Sequence, residues 1–131
     1  MAAALRAHAR GLYHAVAAVG LLIGHRRWLC RGDFVGRFVW VGRGMVGGGL
    51  LAVVDWQAAV KVLAVGGLPC SSSEGCVLRI AASIAADVPV DLGGCLSTLD
   101  EANISLVADA VWRAAGRTAP GGVRVSRGER R

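Results

Sequence analysis

The side chains of this 131-residue chain that could do chemistry are four cysteines, three histidines and nine carboxylates, and their spacing decides what that chemistry would be. Cys30, Cys70, Cys76 and Cys95 are separated by 40, 6 and 19 positions, with no C-x-x-C. A tetrahedral zinc site prefers ligands paired about two to four residues apart, so these thiols read as small apolar groups and not as metal ligands. A disulfide from Cys70 to Cys76 or Cys95 would require export. His8, His14 and His25 all lie near the start, remote in sequence from Ser71, Ser72 and Ser73. The serines therefore lack the commonest general base. Ser71 with Glu74 instead fits a helix capping box, in which hydroxyl and carboxylate each satisfy one backbone N–H. Asp87, Asp91, Asp100 and Glu101 are the densest carboxylates, but three of them fall at expected helix boundaries, where the N-terminal end of the helix dipole favours acids. No catalytic residue, cofactor site or metal ligand is expected, and the chain is read as not an enzyme.

Gly42-Arg43-Gly44-Met45-Val46-Gly47 spells G-x-G-x-x-G behind the apolar Phe38-Val39-Trp40-Val41. Such glycines let a backbone and a helix N-terminus approach a pyrophosphate. A helix should then open at the third glycine, and an acid should follow about 20 residues later. Two more glycines follow Gly47, and Gly66-Gly67 stand where the acid would be. Nucleotide binding through Gly42, Gly44 and Gly47 is therefore the third reading. Asn103-Ile104-Ser105 matches a glycosylation sequon inside an expected helix, and Arg31-Gly32-Asp33 is a chance tripeptide.

Residues 55–116 carry the clearest elements. Asp55 caps a helix to about Val65 with Trp56, Ala59, Val60 and Leu63 on one face, and Gly66-Gly67 and Pro69 end it. The capping box opens a second helix to about Ala86, with Val77, Ile80, Ala81 and Ile84 facing inward, and Asp87-Val88-Pro89 stops it. A short helix is expected over Leu92–Leu96 behind Asp91. Asp100 then caps a helix over Glu101–Ala115 whose stripe is Ile104, Val107, Ala108, Val111 and Ala115, with Trp112 on its rim, and Gly116 closes it. On this reading Ile84→Asp and Val111→Asp should unfold the protein and Leu106→Asp should not. The expected fold is all-α, a small bundle of three to four short helices.

Charge divides the chain differently. Residues 1–54 hold seven Arg against Asp33, residues 55–116 hold seven acids against Lys61, Arg79 and Arg113, and residues 117–131 hold five Arg against Glu129. Ten of the 19 glycines also lie in residues 1–54. That third is expected to be poorly ordered, with residues 1 to about 44 outside the functional protein and a start near Met45. The tail from 117 is expected to be disordered. The apolar run 11–24 is 14 residues long, short of the roughly 20 that span a bilayer, and no small-x-small cleavage site follows it. No transmembrane segment is expected, and the compartment is read as cytoplasmic.

The stretch LPCSSSEGCVLRIAASIAADVPVDLGGCLSTLDEANISLVADAVWRAAG resembles small proteins of GC-rich actinobacterial genomes, some carried on phages or mobile elements. The resemblance covers at most residues 55–116 and implies no activity. A helical unit of 62 residues is marginal in size, so association with a protein partner or with itself is the preferred reading. The alternative is nucleic-acid binding through Arg-rich ends, with Arg117, Arg124, Arg127, Arg130 and Arg131 as the phosphate contacts.

Overall fold

The computed structural model describes residues 13–43 and 50–117. Among them are six α-helices, a 3-10 turn and one two-stranded sheet. Helix α1 (Tyr13–His25) leads through the 3-10 turn (Trp28–Cys30) to α2 (Gly32–Phe38). Strands β1 (Val39–Arg43) and β2 (Leu50–Val54) follow, then α3 (Trp56–Ala64), α4 (Ser72–Ala86), α5 (Leu92–Leu96) and α6 (Glu101–Ala114).

The local signals for α3 to α6 act as expected. Asp55, Asp91 and Asp100 each accept a hydrogen bond from the backbone N–H three residues on. Ser71 Oγ accepts from Glu74 N at 3.1 Å while Glu74 Oε1 accepts from Ser71 N at 3.0 Å, completing the capping box. Helix α4 ends on Asp87 at φ 57°, and Gly116 follows α6 at φ 76°. Gly116 is favoured by its positive φ, and a side chain there would also press on the Tyr13 ring at 3.0 Å.

Helix α4 is the hub, packing against α1, α3, α5 and α6. Val77, Leu78, Ile80, Ala81 and Ala82 are buried, so most of its circumference is covered. The largest fully buried side chains are Trp28, Phe34, Leu22, Leu68, Leu78 and Val77. Three of those six come from residues 22–34, which corrects the expectation of a poorly ordered N-terminal third. Helix α1 buries Ala17, Ala18, Val19, Leu21 and Leu22, and lies against both α4 and α6. An apolar helix with little polar face belongs inside a core. The arginines that suggested disorder sit over aromatic faces instead: Arg31 is 4.8 Å from the Trp28 ring and Arg37 is 5.1 Å from that of Phe38.

Two further corrections follow, on the element count and on the face of α6. Three to four helices undercounts the bundle, and the antiparallel hairpin, in register from Val39↔Val54 to Arg43↔Leu50, adds a small sheet. The G-x-G-x-x-G begins on β1, and the next described element is the antiparallel strand β2, not a helix. Pyrophosphate binding by that loop would need a helix opening on the glycines. Helix α6 is also rotated from the expected stripe. Val107 and Ala110 are buried and Leu106 packs on the core, whereas Ile104 and Val111 are exposed. The reason is close approach: a methyl group on Gly24 of α1 would lie 2.8 Å from Leu106 Cδ2, so α1 seats the Leu106 side of α6 in its glycine notch. Residues 1–12, Gly44, Gly47 and the tail arginines Arg124, Arg127, Arg130 and Arg131 lie outside the described residues.

Candidate interaction surface

The densest polar cluster surrounds the start of α4. Trp28 Nε1 donates to the Glu74 carbonyl at 2.9 Å, bridging the first third of the chain to its central helix. Arg31 donates to the Pro69 carbonyl at 2.7 Å and to both carboxylate oxygens of Asp33. Hydrogen bonding to Arg31 holds the Asp33 carboxyl below its ordinary range. The Glu74 carboxyl is lowered by its hydrogen bond from the Ser71 backbone, aided by Arg27 at 3.9 Å. His25 completes the cluster. Its Nδ1 is buried without a hydrogen-bond partner among the described residues. Burial lowers the imidazole pKa, with Glu74 and Asp100 pulling against Arg27. Trp28 and Arg27 tie the 3-10 turn and its approach to α4, and Arg31 ties the start of α2 to the loop before α4. The sequence signal is an arginine close to an aromatic, Arg31 three residues after Trp28 and Arg37 beside Phe38, which in the sequence read as charge alone.

All four cysteines are free thiols, and three gather near α4. A cavity of about 400 Å³ is lined by Cys70, Ser71, Ser72, Cys76, Arg79 and Thr98. Burial pushes the Cys70 thiol up, with Glu74 adding to the effect. Cys95 is pushed up to about 12 by burial and by its hydrogen bond with Cys76. Both therefore stay protonated thiols at neutral pH, and it is the thiolate that attacks electrophiles or binds metal. Among the described residues no group of His, Cys, Asp and Glu converges as a metal site. Ser71 is occupied by the helix cap. The carboxylates Asp87, Asp91 and Asp100 sit at separate helix ends, so they form no acid–base pair. A second cleft of about 350 Å³, between α3 and the exit of α4, is lined largely by Val60, Ala64, Val88 and Pro89.

The least expected surface is the outer face of α6. Ile104 is 43% and Val111 54% exposed, and Ala108 and Ala115 between and beyond them are exposed too. These four recur at helical spacing on one side, about a third of a turn from the packed residues Leu106, Val107, Ala110 and Ala114. Trp112, 37% exposed, stands at the edge of the stripe. The helix thus carries two apolar faces and buries only one. A lesser apolar patch is the cross-strand pair of exposed Trp40 and Val53 on the hairpin.

Of the proposed phosphate contacts only Arg117 is described, exposed just beyond the C-terminal end of α6. Among the described residues no helix is long and apolar enough to cross a membrane. The sequence matches no protein-family model, and neither the curated proteins nor the solved structures give a significant match to it.

Proposed function

We propose that the protein is a non-enzymatic interaction module that binds a protein partner through the outer face of α6. The observation that carries this reading is the stripe of Ile104, Ala108, Val111 and Ala115 in solvent. A surface helix ordinarily turns polar residues outward, and contiguous apolar patches on small proteins mark contact surfaces. Core packing does not account for the stripe, because α6 already anchors to α1 and α4 by its other side.

The test is site-specific photocrosslinking of the full chain in its native cell extract. A photoreactive residue replaces Ile104 or Val111, and Ala102, exposed on the far side of the same helix, serves as control. Discrete protein adducts from 104 and 111 but not from 102 are expected. Equal background at all three positions overturns the reading. Adducts that are nucleic acid and not protein would favour the basic-end alternative instead.

A further inference from the structure

Resting on that reading, we propose that the partner is a second copy of this chain, docked α6 against α6 in antiparallel orientation about a two-fold axis near Ala108. A single stripe that must cover itself is satisfied by a C2 pair, in which the same patch serves both copies. The position of the axis follows from the residues. Ala108 lies mid-stripe with Ile104 and Val111 on either side, so a small side chain occupies the crossing point and lets the helix axes approach to about 8 Å. An axis at position 108 sets 104 of one copy against 112 of the other, packing Ile104 beside Trp112.

Charge fixes the direction. Asp100 and Glu101 stand at the start of α6, and Arg113 and Arg117 at its end. The antiparallel pair brings position 101 of one copy opposite position 115 of the other, within the reach of Arg117, whereas Arg113 stands on the far side of α6, ion-paired with Asp109 at 2.9 Å. A parallel pair would face acid with acid and arginine with arginine. Antiparallel packing also sets each helix dipole against the other in the favourable sense. One helix of 14 residues is about 21 Å long and offers an interface at or below the lower end of specific complexes, about 1,200 Å² in total. The dimer should therefore be a micromolar one.

Sedimentation equilibrium of the purified full chain reads this directly. The wild type is expected to pass from monomer to dimer across the micromolar range. Val111→Asp is expected to weaken the dimer at least about tenfold while its circular dichroism stays unchanged. Glu101→Arg and Arg117→Glu should each weaken it about two- to fivefold, and the double variant should recover the wild-type constant. A wild type that stays monomeric, or a Val111→Asp protein that dimerises as well as wild type, overturns the proposal. A Glu101→Arg variant that dimerises more tightly also overturns it, because that is the signature of parallel pairing. A monomer whose positions 104 and 111 crosslink to a different protein refutes self-pairing and leaves the interaction reading standing. Absence of any adduct refutes both.

Discussion

Replacing Trp28 by Ala should unfold most of the protein. Trp28 is fully buried, packs on Phe34 at a ring separation of 5.4 Å, lies under Arg31, and donates to the Glu74 carbonyl. Removing a buried aromatic side chain costs about 3–5 kcal/mol through lost transfer energy and the cavity left behind. Losing the indole hydrogen bond to the Glu74 carbonyl, which keeps its in-helix partner, adds about 1 kcal/mol more. The total of roughly 4–6 kcal/mol is comparable with the whole stability of a small domain, about 5–15 kcal/mol. Trp28→Phe should cost less, about 1–3 kcal/mol, since it keeps the ring but loses the donor. Urea unfolding followed by far-ultraviolet circular dichroism measures both, independently of the tryptophan signal being removed. Deleting residues 1–44 should abolish the cooperative transition for the same reason, since Leu22, Trp28 and Phe34 leave together. A Trp28→Ala midpoint within about 1 kcal/mol of wild type, with a truncated 45–131 chain that melts normally, would show that α1 to α2 are no part of the core.

On α6, Leu106→Asp should destabilise by about 2–4 kcal/mol, because it drives a charge into the Gly24 notch, while Val111→Asp should stay within about 0.5 kcal/mol in the monomer; thermal melts of the two variants distinguish the faces. Ser71→Ala should cost about 1 kcal/mol by removing the acceptor for Glu74 N, measured by the same urea titration. Stability should fall as pH drops below about 6.5, because burial lowers the His25 pKa and the unfolded chain then binds the extra proton. His25→Gln should flatten that part of the pH–stability curve, and an unchanged slope would remove His25 from the account.

The helix boundaries from Asp55 to Gly116 were legible because each is set by a residue acting within four positions of itself. A carboxylate or hydroxyl satisfies an orphan N–H wherever it stands before a helix, so Asp55, Ser71, Asp91 and Asp100 need no tertiary information. Two things depended on distant partners and were not legible. Helix α1 has no polar face to give it a period, and Gly20 and Gly24 argue against a helix until α6 is seen to press on them. Helix α6 has two apolar stripes of similar strength. Periodicity favoured Ile104–Val111, and only the shape of α1 selected Leu106 with Ala110. The candidate surface was thus visible as a stripe, but as the wrong side of the helix. The hairpin strand after Phe38 was legible as an apolar run, and its partner Leu50–Val54 is just as apolar, but that the two pair with each other is written in neither.

Because α1 lies against α6, the first described helix is covered by the last described one. Roughly 90 residues separate the end of α1 from the end of α6. At about 5–20 residues per second of synthesis, Leu21 and Leu22 of α1 wait roughly 5–20 seconds on a nascent chain before α6 exists. Hydrophobic collapse is over in well under a millisecond, so the delay is set by translation and not by the chain. Slow codons downstream of α1 would lengthen that exposure without changing a single contact in the finished fold.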